Sequence, residues 1–363
     1  MAEYRNYQVT EGSRVSTGAT VSVLASVIIS ALLTCWFLSS QVTKPLWNPP
    51  QGIVDKKFQQ LASLSDEVNW VFVGPSHLEK GVVTSLFDRQ NSARDWPTSS
   101  YNLSMVGTTF IENRTLLQRL SEMDLKNLQY VVYEPRLKLV PDPDNLFTRR
   151  VRYHYNFAAV SEAVSVRMSS QRSTVRSLLS SSALSFTYLL HLSNLGVLSD
   201  LLLPAPASAS SKEEPLHSDR GYISYRMRLG EQYEERHRQY LRDVTERQLF
   251  SFDEARGYRP LSQQELQIVL TDIDLIEAMG AIPIILLPPS ANLPGLHRAI
   301  AEALSIARPQ LAVLDYSYRQ QDSFFIYRSP QWWFDDDHLS DSGAELFTAR
   351  LAEDLYALTE ENR

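Results

Sequence analysis

The sequence predicts an α/β protein with a parallel sheet, one N-terminal transmembrane helix and a helical insertion. Two observations lead to this fold class: strand-like apolar runs alternate with helical patterns, and a long uncharged apolar segment precedes them. Such alternation is typical of parallel sheets, because each parallel connection needs a crossover. The expected organisation is a tail at 1–16, an anchor at 17–40, a linker at 41–53 and an α/β domain at 54–363 with an insertion at about 150–255.

The N-terminal segment has the length and composition of a single membrane span. No residue between Arg14 and Lys44 is charged, and Ala19 to Leu38 is a mostly apolar run. At ~1.5 Å per residue this run forms a helix of roughly 30 Å, the thickness of a bilayer core. The residues after Leu38 make a poor cleavage site, which favours an uncleaved anchor over a signal peptide, and the run is too long for an ordinary buried helix.

The orientation of this anchor depends on weaker signals. Arg5 and Arg14 precede the span, and Lys44, Lys56 and Lys57 follow it, so charge counting is nearly balanced. A short N-terminal tail more commonly stays inside. We therefore expect an inner- or plasma-membrane protein whose C-terminal domain lies outside the cytoplasm, in the periplasm.

Four apolar runs and several amphipathic segments predict the elements of the α/β domain. The expected strands are Trp70–Val73, Tyr130–Tyr133, Ala281–Leu287 and Leu311–Leu314. The expected helices are Asn113–Met123, Leu261–Met279, Leu296–Ala307 and Asp341–Leu358, with Phe157–Leu203 mostly helical and Glu231–Phe250 a charged helix in the insertion.

Composition excludes several classes of protein. The chain has 35 Lys and Arg against 42 Asp and Glu, a formal net charge of −7, so no nucleic-acid partner is expected. The single cysteine, Cys35, excludes a disulfide framework and a cysteine-based zinc site. A hydrophobic content of 44% excludes a long disordered chain.

Ser76 is the first candidate for chemistry. It follows the predicted strand Trp70–Val73 directly after Gly74-Pro75, on a sharp strand-to-helix turn. Such a turn exposes a side chain at the carboxyl edge of the sheet, where α/β proteins bind ligands. The alternative is an ordinary helix-capping serine.

Asp335 and His338 are the second candidate, three residues apart before the last predicted helix. A serine nucleophile needs a neighbouring base, and an imidazole base needs a carboxylate to orient it. The alternatives are a helix cap formed by Ser340 or Asp341 and a divalent metal site on Asp335–Asp337. No second acidic cluster supports a metal site, so neither a metal nor a cofactor is expected.

A third segment, Asn102 to Gly107, follows a short strand and ends in a glycine whose N–H can approach a ligand closely. We expect Gly107 and Asn102 to contribute to oxyanion or substrate binding. His77 adjoins Ser76 and is a poor base, because neighbouring side chains diverge, but it can line the pocket.

Together these segments resemble the SGNH/GDSL hydrolase superfamily. Gly74-Pro75-Ser76 is similar to its first block, Asn102–Gly107 to its second and Asp335-x-x-His338 to its last. The resemblance implies a flavodoxin-like three-layer α/β/α sandwich. The anchored layout resembles the branch that includes the D-alanyl transfer protein of teichoic acid synthesis and the alginate O-acetylation proteins, which modify envelope polymers, often beside a membrane-bound O-acyltransferase.

One block departs from this pattern. The family has Gly-x-Asn-Asp after the next strand, whereas here Tyr130–Tyr133 leads into Glu134-Pro135-Arg136. The asparagine that completes the oxyanion hole is missing, and losing one such donor typically costs ~100–1,000-fold in rate. Arg136 is a candidate to replace it.

The leading hypothesis is a membrane-anchored serine esterase or O-acyltransferase that acts on an extracytoplasmic envelope glycan. Ser76 would attack the acyl donor, His338 would act as base, Asp335 would orient His338, and the N–H groups of Ser76 and Gly107 would stabilise the oxyanion. The expected partners are the lipid bilayer, the glycan acceptor and a membrane-bound O-acyltransferase. The alternative is a catalytically inactive SGNH-like subunit that serves as a docking component of a membrane complex.

Overall fold

The computed structural model describes residues 53–139, 157–169, 219–247, 257–290, 293–317 and 329–361, with isolated positions elsewhere. The chain divides into two compact units. The larger, Pro50–Tyr188 with Pro206–Arg363, contains the sheet and every candidate site residue. In the smaller, Met1–Pro49 with Leu189–Ala205, the described residues 22, 25–30 and 33 are helical.

Five parallel strands form the sheet, which confirms the predicted α/β class. The strands are β1 (Trp70–Val73), β2 (Ser100–Asn102), β3 (Tyr130–Tyr133), β4 (Ile282–Leu287) and β5 (Ala312–Asp315). Their order is β2-β1-β3-β4-β5, and Phe72 of β1 lies opposite Asn102 of β2 and Val132 of β3. The order reverses next to β1, and α/β sheets bind ligands outside the carboxyl ends of the strands at such a point.

The helices connect these strands and form most of the insertion that the structure describes. They are α1 (Ile53–Ser63), α2 (Ser76–Gly81), α3 (Thr84–Ser92), α4 (Phe110–Ser121), α5 (Phe157–Ser169), α6 (Tyr225–Leu229), α7 (Gln232–Arg247), α8 (Gln263–Ala278), α9 (Pro294–Ala307) and α10 (Asp341–Glu361), with a 3₁₀ turn at Pro330–Trp332.

Helices cover both faces of the sheet, because successive strand side chains point in opposite directions. Val71 and Val73 of β1 pack in one core cluster with residues of α1, α4 and α8. Trp70 and Phe72 pack in a second cluster with residues of α3 and α10. Each large apolar side chain buried in this way contributes ~1.5–3 kcal/mol, so both faces stabilise the sheet.

The element boundaries agree closely with the sequence prediction. The predicted bounds of β1 and β3 are confirmed, while β4 and β5 each begin one residue later than expected. Helix α4 begins at Phe110, three residues before the predicted start, because Thr109 caps it. The Thr109 hydroxyl accepts the Glu112 N–H, and the Glu112 carboxylate accepts the Thr109 N–H at 2.7 Å, which is a capping box.

The predicted anchor at 17–40 falls mainly outside the described residues, as do the tail at 1–16 and most of the linker at 41–53. Within the portion of the chain that is described, no helix combines the length and the apolar character that a membrane span requires.

Candidate active site

The nucleophile candidate, Ser76, is the first residue of α2 and follows β1 by way of Gly74 and Pro75. It is half-buried, at the carboxyl edge of the sheet. A Cβ at Gly74 would lie 2.9 Å from both the Glu134 Cβ and the Leu78 Cδ1, so only glycine fits between β1 and β3 here. Close packing at Gly74 therefore brings the start of α2 near the loop after β3.

Ser76 and the Asp335–His338 pair meet although they are far apart in sequence. The Ser76 Oγ–H donates to His338 Nε2 at 2.8 Å, and His338 Nδ1–H donates to the Asp335 carboxylate at 2.8 Å. The His338 side chain is 18% exposed and the Asp335 side chain 43%, so solvent reaches the site. The arrangement has the connectivity of a serine, an imidazole base and an orienting carboxylate.

The turn that holds His338 is organised by Asp335. Asp335 Oδ1 accepts the backbone N–H groups of Asp337 and His338, each at 2.9 Å. Beneath the turn, Trp333 and Leu339 form an antiparallel bridge, and the Phe334 N–H donates to the His338 carbonyl at 2.8 Å. The His338 ring is consequently fixed by local bonds as well as by its contact with Ser76.

A second chain of polar contacts, which was not predicted from the sequence, lies directly behind the first. The His77 Nδ1–H donates to Glu134 Oε1 at 2.7 Å, and His77 Nε2 lies 3.0 Å from Asp337 Oδ2. Asp337 Oδ1 in turn accepts the Ser290 hydroxyl at 2.7 Å. The chain joins helix α2 and the loops after β3 and β4 to the turn that carries His338.

This second chain is strongly charged and mostly buried. Burial alone lowers the pKa of His77, but the charges of Glu134 and Asp337 outweigh it and raise the pKa to about 10. Burial favours a raised pKa at Asp337, yet the His77 charge and hydrogen bonds hold that pKa well below its usual range. At neutral pH His77 is thus an imidazolium, and it lies between the carboxyl groups of Glu134 and Asp337.

His297 is a further buried histidine beside this chain, with its ring centroid 6.3 Å from that of His77. Burial is the main cause that lowers its pKa, to about 3, followed by the charges of His77 and Arg136. His297 is therefore neutral. Its Nδ1 is buried and has no hydrogen-bond partner among the described residues.

The remaining predicted site residues lie in different surroundings. Asn102 is fully buried, and its amide donates to the carbonyls of Leu78 and Val82 at 2.8 and 3.1 Å, so it holds α2 against β2. Gly107 is half-buried in the turn after β2 at φ +63°, a conformation that favours glycine. Arg136 is half-buried, and its Nε lacks a hydrogen-bond partner among the described residues.

The insertion contributes an aromatic wall that the sequence did not identify. Tyr225 of α6 stacks on Phe334 with ring centroids 4.1 Å apart, and it meets the His338 ring at a steep angle with centroids 5.6 Å apart. The segment before α6 is tied to the sheet, because the Asn102 N–H donates to the Arg220 carbonyl at 2.9 Å. Part of the predicted insertion is therefore built into the site.

No protein-family model and no curated protein matches this chain. The geometry of the site itself indicates its chemistry. A hydroxyl that donates to an imidazole, whose other nitrogen donates to a carboxylate, is equipped for nucleophilic attack with proton transfer. His77 connects the turn of His338 to helix α2, since it follows Ser76 and contacts Asp337.

Two signals in the sequence could have identified the second chain. Glu134 stands where the SGNH-like pattern has a neutral side chain, and a carboxylate at the end of a buried strand needs a cationic partner. His77, next to the nucleophile, was a suitable partner. Asp337 and Ser290 carry no comparable local signal.

Proposed function

We propose that this protein is a serine esterase or O-acyltransferase in which Ser76 carries the acyl group. The observation that supports the proposal is the unbroken chain from the Ser76 hydroxyl through His338 to Asp335, with contacts of 2.8 Å at both steps. Ser76 is half-buried rather than enclosed, which leaves its hydroxyl open to a substrate.

In the first half of the reaction, Ser76 Oγ forms a bond to the acyl carbon of a donor ester. The hydroxyl proton passes to His338 Nε2, while Asp335 stabilises the imidazolium through Nδ1–H. The bond between the acyl carbon and the leaving oxygen then breaks, and His338 returns the proton to that oxygen. The product of this half is an acyl ester on Ser76.

In the second half, an acceptor hydroxyl attacks the acyl-serine. His338 takes the acceptor's proton, and the bond between the acyl carbon and Ser76 Oγ breaks. The proton then returns to the serine oxygen, so the enzyme is regenerated. A glycan hydroxyl as acceptor gives O-acyl transfer, and water gives ester hydrolysis.

The oxyanion formed in each half needs hydrogen-bond donors. We propose the backbone N–H groups of Ser76 and Gly107 for this role, as the resemblance implies. Glu134 cannot replace the missing asparagine, because its carboxylate binds His77 at 2.7 Å. The unpartnered Arg136 Nε is the best remaining donor from the loop after β3 among the described residues.

The strand order 2-1-3-4-5, with helices on both faces, is that of flavodoxin-like proteins. It supports a flavodoxin-like three-layer sandwich and the resemblance to SGNH/GDSL hydrolases. We further propose, from the resemblance to the anchored branch, that the acceptor is an envelope glycan outside the cytoplasm. In this proposal the uncharged run Ala19–Leu38 anchors the domain, and a membrane-bound O-acyltransferase is its partner.

A serine-reactive fluorophosphonate probe tests the proposal on the purified full-length chain. We expect labelling of the wild type, and none of Ser76→Ala with a thermal stability close to that of the wild type. The matched control is Ser92→Ala, an exposed serine at the end of α3, which should label normally. Equal labelling of wild type and Ser76→Ala, or no labelling of either, would contradict the serine mechanism and favour the non-catalytic docking subunit.

A further inference from the structure

His77, Asp337 and His338 form a cluster of side chains that could together bind a metal ion. Each of the three residues offers a ligand atom, and these atoms lie within 4.8 Å of one another. In the part of the chain that the structure describes, this is the one group of three such residues. We propose that these residues bind a divalent transition metal ion of the zinc type, and that the bound ion blocks Ser76.

The atoms around these residues are arranged like the outer shell of a metal site. Metal-ligating histidines almost always donate their second ring N–H to a carboxylate, a carbonyl or water. His77 donates Nδ1–H to Glu134 at 2.7 Å, and His338 donates Nδ1–H to Asp335 at 2.8 Å. The orientation of the Asp337 carboxylate is also set, because its Oδ1 accepts the Ser290 hydroxyl at 2.7 Å.

These outer contacts leave suitable atoms directed toward one another. His77 Nε2 is buried and lies 3.0 Å from Asp337 Oδ2. In the metal-free protein a proton lies between these two atoms, and a bound ion would replace it and release the proton to solvent. Two ligands bound at about 2.0–2.1 Å to a tetrahedral ion lie roughly 3.3 Å apart. The separation of these two atoms is therefore close to that of ligands sharing one ion.

The donor set selects the class of ion. Two imidazole nitrogens and one carboxylate oxygen suit zinc-like ions, whereas magnesium and calcium prefer shells made of oxygen. Ser76 Oγ lies 2.8 Å from His338 Nε2, in the direction in which this nitrogen would bind the ion, so a bound ion displaces the hydrogen bond from Ser76. The side chains of Asp337 and His338 are 23% and 18% exposed, which gives the ion a route from solvent.

Metal binding and serine catalysis exclude each other at one atom. The lone pair on His338 Nε2 can coordinate the ion or accept the Ser76 proton, but not both. This inhibitory consequence rests on the proposed function, whereas the binding itself does not. The site would accordingly switch the serine between an active metal-free form and an inactive metal-bound form.

Calorimetric titration of tag-free, full-length protein in detergent with zinc chloride tests the binding directly. We expect one ion per chain, and a weaker affinity in His77→Gln and in Asp337→Asn. The outer-shell variant Glu134→Gln should lose about 10–100-fold in affinity. His237→Gln and Asp336→Asn are matched controls outside the ligand set and should bind as the wild type does. Binding that is absent, or unchanged in both His77→Gln and Asp337→Asn, overturns the proposal.

Two further readouts test whether the bound ion occupies this cluster and blocks the serine. Cobalt(II) should give the visible absorption of a tetrahedral ion in the wild type and in Asp336→Asn, but not in Asp337→Asn, with melting curves to verify folding.

Zinc, but not magnesium, should suppress fluorophosphonate labelling, and a chelator should restore it. Zinc binding without any labelling of the metal-free protein would leave the metal site standing and refute the serine mechanism. Labelling that zinc does not affect would refute the inhibitory site.

Discussion

Asp335 holds His338 in two ways with one oxygen. Its Oδ1 accepts the backbone N–H of His338 at 2.9 Å and the ring Nδ1–H of the same residue at 2.8 Å. The carboxylate thus determines both the path of the turn and the tautomer of the imidazole, and it leaves Nε2 free to accept from Ser76. The three-residue spacing is what allows one side chain to perform both tasks.

We expect Asp335→Asn to lower the rate of fluorophosphonate labelling by about 10⁴-fold, because an amide neither stabilises the imidazolium nor enforces the required tautomer. Labelling kinetics at fixed probe concentration measure the effect. The matched control is Asp336→Asn, since Asp336 is the exposed neighbour in the same turn. Similar rates for the two variants would show that Asp335 does not orient the base. Asp337 is unsuitable as the control, because it contacts His77.

Alanine substitutions at Gly74 and Gly81 test how closely the chain is packed around α2, the helix that begins at Ser76. Gly74→Ala should destabilise the fold by ~1–3 kcal/mol and slow labelling, because the new methyl group would collide with Glu134 and Leu78 at 2.9 Å. Gly81→Ala, at the last residue of α2, meets side-chain atoms no closer than 3.6 Å and should be tolerated. Denaturant unfolding measures both, and equal stability of the two variants would contradict the close packing around Gly74.

Glu134→Gln tests the buried polar chain of Glu134, His77, Asp337 and Ser290 that lies behind Ser76. Replacing the carboxylate leaves His77 with a weaker partner and should lower the free energy of unfolding by about 2–3 kcal/mol. Labelling should slow as well, because His77 connects the serine helix to the turn of His338. Glu122→Gln, at the exposed end of α4, is the control and should change neither quantity. An unchanged stability in Glu134→Gln would show that the contact with His77 contributes little.

The proposed envelope function also makes a topological prediction. Protease added to intact spheroplasts should digest the chain beyond Leu46 and spare a small anchored fragment that contains Ala19–Leu38. The same treatment of lysed cells provides the control for accessibility. A domain protected until the membrane is broken would place Ser76 in the cytoplasm, and the glycan-modification proposal would then be wrong even with a reactive serine.

Local signals in the sequence were sufficient to predict several elements. The bounds of β1 and β3 follow from short apolar runs. Each run ends at residues that interrupt a strand, Gly74-Pro75 after β1 and Glu134-Pro135 after β3. Asp335 and His338 could be paired for the same reason, since three residues on a tight turn bring both side chains together. The start of α4 was misplaced because its capping box precedes the apolar pattern on which the prediction relied.

The resemblance to a known family paired Ser76 with His338, but it gave no indication that His77 meets Glu134 and Asp337 in the folded chain. Ser76 and His338 are 262 positions apart, and His77 and Glu134 are 57 apart. These residues converge because parallel strands end at one edge of the sheet, a relationship that no local pattern records. The same convergence distinguishes Asp337 from its neighbours. In the sequence it is one of three adjacent aspartates, whereas in the fold it contacts the buried imidazolium of His77. Residue spacing therefore could not predict that the charged His77 is buried against Asp337, because packing at the sheet edge brings the two together.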